Sequence, residues 1–152
     1  MKTTSQKKRL KRRGVALVEG AIVLSVVLIL ILGFFDLGLA VTRYNALCEG
    51  SRRAARAVIV RGSMASDLGV VGTTTMNFTA DDPGAIATSF RFLLATMDPK
   101  DVNIKIEWLD GDNQLDQKIR VTLSYQHKTA VPIPFGYGTR NLQSASTMYI
   151  AH

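Results

Sequence analysis

From Val15 to Thr42 the chain reads VALVEGAIVLSVVLILILGFFDLGLAVT, with Glu19 and Asp36 as its only ionisable side chains. Between them lie 16 uncharged residues, nearly all aliphatic or aromatic. At about 1.5 Å rise per residue, residues 15–42 as a helix extend roughly 40 Å, more than a hydrocarbon core of about 30 Å requires. A segment apolar on every face is not an amphipathic surface helix, and a chain of 152 residues has too small a core to bury it. The pattern predicts a membrane span.

Beyond Thr42 the period changes but the helix does not stop. Tyr44, Leu47, Ser51, Ala54, Ala55 and Val58 fall at helical spacing on one narrow apolar-to-small stripe. Arg52, Arg53 and Arg56 project elsewhere and read as a solvated face, and Gly62 is a plausible terminator. Residues 63–79, rich in glycine and threonine, read as a loop. Asp82 and Pro83 signal a helix start, and Ile86, Phe90, Leu93, Leu94 and Met97 mark the core face of a helix ending before Pro99. Strict alternation then sets in. Val102, Ile104, Ile106 and Trp108 face one way, as do Ile119, Val121, Leu123 and Tyr125. Turn residues Asp110 to Asn113 separate the two runs, so they predict a hairpin. Pro132 and Pro134 exclude a central strand from 127–138, which reads as a protruding loop. Residues 144–150 suit a last strand returning to the hairpin. The predicted fold is α+β and pilin-like. A long N-terminal transmembrane helix continues into a small domain with one further helix and an antiparallel sheet of about three strands.

Charge changes this picture at one place. The formal net charge is +7, and residues 1–13 hold seven bases and no acid. The remainder carries twelve bases and twelve acids, so a globally basic nucleic-acid binder is disfavoured and no nucleic-acid partner is expected. Basic residues before the span favour a cytoplasmic N-terminus with residues 43–152 translocated, although Arg43, Arg52, Arg53, Arg56 and Arg61 reduce the asymmetry. One cysteine, Cys48, and two histidines, His127 and His152, exclude an intrachain disulfide framework and a zinc cluster. Cys48 has two readings, a buried thiol or an intermolecular disulfide in an oxidising compartment. Asp110, Asp112 and Asp116 lack the spacing of a calcium loop and read as turn residues. No phosphate loop, zinc-type helix or serine elbow occurs, so neither a cofactor nor an enzymatic activity is expected.

The junction of leader and span carries the sharpest signal. Gly14 follows the basic tract, then Val15-Ala16-Leu17-Val18-Glu19 opens the apolar run. This resembles the processing site of type IV prepilins, in which a membrane-embedded prepilin peptidase cuts after the glycine. The resemblance implies cleavage between Gly14 and Val15, with Glu19 at the fifth mature position. Independently of it, a carboxylate at mid-membrane costs about 2.5–3.5 kcal/mol on an insertion scale. A new amine at Val15 supplies the opposite charge that offsets this cost, on the same chain or on a neighbouring span. Gly14 admits close approach of a protease to the backbone. Asp36, 17 positions after Glu19, is expected near the opposite interface with its carboxylate in water, and a polar contact to Arg43 or to another span is the alternative.

The continuation narrows the resemblance. Leu32-Gly33-Phe34-Phe35-Asp36-Leu37-Gly38, Tyr44-Asn45-Ala46-Leu47, and Glu49-Gly50-Ser51-Arg52 with Ala54-Ala55 are similar to TadE-like proteins, the pseudopilins of Tad (Flp) tight-adherence pili. The likeness is best over residues 12–62. Gly20 stands where that family usually has an aromatic residue, and Leu39 where a basic one is frequent. The implied organisation is a leader at 1–14, a span at 15–42, a helix extension at 43–62 and an extracytoplasmic α+β domain at 63–152. The implied function is structural: a minor pilin or pseudopilin in assembly of a pilus for adhesion or secretion. Its expected partners are membrane lipid, prepilin peptidase, other pilin-like subunits and Tad assembly proteins, and its expected location is the bacterial inner membrane. Two other readings stay open: an uncleaved membrane-anchored binding or sensor domain, and a secreted domain released by signal peptidase with Val41 as its first residue.

Overall fold

The computed structural model describes residues 3–60, 74–111, 114–129 and 139–150. One helix, α1 (Thr3–Ile59), is followed by a four-stranded antiparallel sheet in the order β1 (Met76–Thr79), β2 (Val102–Trp108), β3 (Lys118–Lys128) and β4 (Thr139–Tyr149). A one-turn helix α2 (Ala85–Thr88) and two 3-10 turns, Arg91–Leu94 and Pro99–Asp101, link β1 to β2. The described residues fall into two compact units that divide α1 between Gly38 and Leu39.

In the first unit, α1 carries its apolar side chains outward on all sides. Leu17, Phe34 and Phe35 are 72–75% exposed, a surface that water does not tolerate over such a length. A lipid surrounding would account for both the exposure and the helix. Where no water can hydrogen-bond the backbone, only a helix satisfies every N–H and C=O of a single segment, even one interrupted by Gly20, Gly33 and Gly38. α1 is the one described helix long and apolar enough to cross a membrane.

In the second unit, the stripe predicted after Thr42 is the face that α1 buries. Leu47, Gly50, Ser51, Ala54, Ala55 and Val58 are all buried, whereas Tyr44 is 46% exposed and lies off the stripe. They meet the inward side chains of β2 (Val102, Ile104, Ile106, Trp108) and β3 (Ile119, Val121, Leu123, Tyr125) in one core. Each large aliphatic side chain buried there contributes about 1.5–3 kcal/mol. As α1 advances from Arg43 to Gly50, its contacts on β3 recede from His127 to Leu123. It therefore runs antiparallel to β3 and parallel to β4.

The hairpin of β2 and β3 forms as the alternation predicts, with Trp108 opposite Ile119 and Val102 opposite Tyr125. Gly111 has φ +78°, a left-handed conformation that glycine adopts without strain, and the Asp110 carboxylate accepts the Lys118 N–H at 2.8 Å. Asp112 lies outside the described residues.

Four expectations need correction. The sheet has four strands rather than about three, because Met76–Thr79, expected to be loop, pairs with 103–106. β4 begins at Thr139, five residues before the predicted start, because β3 extends to Lys128 and offers it partners. His127, assigned to the loop, is therefore in β3; residues 130–138 lie outside the described residues. Finally, the single helix expected from Asp82 is a short α-turn and a 3-10 turn. Thr88 and Ser89 hydroxyls donate to the Gly84 and Ile86 carbonyls, and such local bonds compete with helix propagation. Arg91 fixes the bend by donating to the carbonyls of Ala80 and Asp82. Phe90, Leu94 and Met97 still reach the core, as expected, and Leu93 packs against it half-buried.

Candidate assembly helix and its seat on the sheet

Gly14, Val15 and Glu19 are exposed on α1. Helical spacing puts Glu19 about 6 Å along the axis from Val15 and on the same face, so an amine at Val15 lies within one turn of the carboxylate. A Cβ at Gly14 would have open space around it; the glycine is not there for packing. It is instead the residue whose helical state costs about 1 kcal/mol more than alanine, so it favours local opening of the backbone at the predicted cleavage point. Asp36 lies on the same helix, half-buried.

Past Leu39 the helix is seated by four neighbouring features. Arg43 donates through Nε to the Thr96 carbonyl (3.0 Å), through Nη1 to His127 Nδ1 (2.6 Å), and lies over the Tyr125 ring at 5.3 Å. Because Nδ1 accepts from a guanidinium, that nitrogen carries the lone pair and the His127 ring proton sits on Nε2. Glu49 pairs with Arg53 one turn on, at 2.8 Å, both about 42–43% exposed; Arg53 also stacks over Phe92 at 5.0 Å. Gly50 is the point of closest approach to the sheet. A Cβ there would lie 2.9 Å from Leu123 Cδ1 and 3.2 Å from Phe90 Cδ2. Ser51, 1% exposed, donates to the Cys48 carbonyl and meets the Ser144 hydroxyl at 3.2 Å.

Cys48 is half-buried rather than enclosed and stands one turn from Tyr44. The hydrogen bond between their side chains, then the negative charge of the Cys48 thiolate, then slight desolvation push the Tyr44 hydroxyl above its usual titration near 10.0. A raised acid keeps its proton longer in the folded state. The Tyr44–Cys48 bond is therefore intact below pH 10 and is lost as pH rises through the raised value. The phenolate absorbance that disappears in Tyr44→Phe is expected to titrate above 10, and to return towards 10.0 in Cys48→Ala. An unchanged midpoint in Cys48→Ala contradicts the contact.

The segment that runs from the open glycine into the last turn of α1, residues 14–56, matches a known family model. The family is that of TadE-like proteins. No curated protein and no solved structure matches the chain. The TadE-like match ends at Arg56, in the last turn of α1, so it covers the apolar helix and its seat and stops before the sheet. Within it, the Glu49-Gly50-Ser51-Arg52 segment has a physical reading: an ion pair on the water side, a glycine at the closest approach, and a hydroxyl bonded into the core.

Reading the residues in order placed a new Val15 amine four residues from Glu19, next to the cut after Gly14, but missed the Arg43 clamp. The signal was present. His127 continues the period-two run of Ile119, Val121, Leu123 and Tyr125, and its polarity near two prolines masked that continuation. The outward face of the sheet is polar, and Asn77, Asn103, Thr122, Ser124, Asn141 and Gln143 line a shallow depression there. Among the described residues no group of three His, Cys, Asp or Glu side chains is placed to hold a metal ion.

Proposed function

We propose that this chain is a pseudopilin that takes part in assembly of a Tad-type pilus for adhesion or secretion. The leader stays in the cytoplasm, the apolar part of α1 crosses the inner membrane once, and the sheet-bearing unit lies outside. A prepilin peptidase cuts between Gly14 and Val15. The new Val15 amine then offsets the charge of Glu19, on its own helix or on a neighbouring span, and the spans of pilin-like subunits pack side by side. Asp36 belongs to the other end of the same span. The role is structural; the chain acts as a rod and a head rather than as a catalyst.

The observation that carries this reading is a coincidence of boundaries. The TadE-like match begins at Gly14, the residue at which the basic tract ends and after which the uncharged apolar run opens. Seven bases immediately precede that point, as an N-terminus retained in the cytoplasm requires.

The test is the mass of the mature N-terminus. Co-expression with a prepilin peptidase is expected to yield a chain starting at Val15. Gly14→Val, which places a β-branched side chain at the cut, is expected to leave the leader in place in nearly all molecules. An intact leader in the parent chain beside an active peptidase overturns the processing step and favours an uncleaved anchor. A chain starting at Val41 favours a secreted domain.

A further inference from the structure

Among the described residues the sheet ends in two edges that suit each other. β4 is eleven residues long, and from Asn141 to Tyr149 it contains no charge and no proline. β1 (Met-Asn-Phe-Thr) is also free of both. Exposed edges are usually protected by lysine, proline or a bulge, because alternate N–H and C=O groups point away from the sheet and accept another strand. Arg140 protects the start of β4, and neither β1 nor β4 beyond it carries such protection.

Register places the edges at one height. Met76, Asn77, Phe78 and Thr79 lie level with Ser146, Ala145, Ser144 and Gln143 through the intervening pairs. On the helix-facing side, β1 presents Met76, 39% exposed, and the half-buried Phe78. At the same level β4 presents the half-buried Ser144 and Ser146. Large side chains on one edge thus meet small ones on the other. On the outward side Asn77 would face Ala145, and Thr79 would face Gln143. β1 runs opposite to β4, so a second copy beside the β4 edge, turned by the sheet's own twist, brings its β1 antiparallel to β4 of its neighbour.

The geometry points to β4 of one copy pairing with β1 of the next, so that the sheet continues through a row of identical subunits. The occupant of the β4 edge is a second copy of this chain. Pairing β4 with β4 is the rival, since Leu142 would face Met148 and Ser144 would face Ser146 about a two-fold axis at Ala145. That axis stands perpendicular to the sheet and reverses α1, which runs parallel to β4. The β4–β1 pairing is favoured because it sets Met76 and Phe78 against Ser146 and Ser144, whereas the two-fold pairing sets serine against serine. The β4–β1 contact is heterologous, and such contacts build rings or open rows rather than closed pairs. A four-residue strand supplies few backbone bonds, so confinement of the copies in a membrane supplies the effective concentration.

Cysteine cross-linking in membranes containing the full chain tests this. Within one molecule Asn77 and Ala145 are three strand spacings apart, about 14 Å, beyond the reach of a disulfide. With Cys48→Ala as background, Asn77→Cys combined with Ala145→Cys is expected to give a ladder of dimers, trimers and longer products on oxidation. Thr79→Cys with Gln143→Cys is expected to do the same from the next row. Two single-cysteine chains, Asn77→Cys and Ala145→Cys, expressed together are expected to stop at dimers. A dimer from Ala145→Cys alone establishes the two-fold arrangement and overturns the proposal. So do monomers from both double variants, or a product whose mass is one copy plus a different protein. The N-terminal residue is read from the same material, so failure of leader processing and failure of strand pairing appear as separate results.

Discussion

Gly50→Val is expected to destabilise the sheet-bearing unit by about 3 kcal/mol, at the upper end of overpacking costs. The reason is the distance between helix and sheet. A single Cβ at residue 50 already falls 2.9 Å from Leu123 Cδ1 and 3.2 Å from the Phe90 ring. Gly50→Ala separates two opposing effects. Alanine gains about 1 kcal/mol in helix propensity over glycine, and Leu123 Cδ1 is the movable end of a side chain, so alanine is expected to fall within about 1 kcal/mol of the parent. Valine adds two methyl groups that cannot both be accommodated by one leucine, while fully buried Phe90 resists from the other side. Denaturant unfolding in detergent, followed by the emission of Trp108, measures both. Trp108 is the single tryptophan and is 8% exposed in the core, so its emission shifts to the red when the unit opens. Equal midpoints for the alanine and valine variants contradict the close approach.

Gly50 also shows where a sequence is legible and where it is not. The stripe of Leu47, Ser51, Ala54, Ala55 and Val58 follows from helical period alone, because burial selects small and apolar residues at that period whatever packs against them. The hairpin follows from strict alternation in the same way. What period cannot supply is the identity of the surface opposite. Nothing between Gly50 and Leu123 in the sequence announces that they meet, because their contact depends on how α1 crosses β3. Edge strands are the weakest case. Met76–Thr79 carries only four residues of pattern, and it is a strand because β2 offers it a ladder. The broken helix at 85–94 fails for a different reason. Its apolar spacing is helical, but the Ser89 hydroxyl takes the Ile86 carbonyl that the Phe90 N–H of a continuous helix needs, and that N–H turns to Ala87 instead. Of the candidate site, Gly14, Val15 and Glu19 were legible because their relation is local, within two turns of one helix. Arg43 and His127, 84 positions apart, were not.

Arg43→Ala is expected to cost about 3 kcal/mol, the sum of two bonds from a charged donor and a cation–π contact of about 0.5–1 kcal/mol, reduced because Arg43 is only half-buried. The bonds to the Thr96 carbonyl and to His127 leave the guanidinium in different directions, and the same plane lies over Tyr125. Lysine keeps the charge but not the fork, so Arg43→Lys is expected to recover less than half of the loss. His127, 1% exposed, is where the coupling is read. If Arg43 acts through His127 Nδ1, the double variant Arg43→Ala with His127→Leu is less destabilised than the two single variants together, by about 1–2 kcal/mol. Strict additivity would mean that the 2.6 Å contact contributes nothing. The clamp lies one residue beyond the expected end of the span, before the buried stripe of α1 begins at Leu47. A bidentate cation that binds a loop carbonyl and a strand imidazole at that position holds the first turn of the seat while Gly50 and Ser51 set its depth.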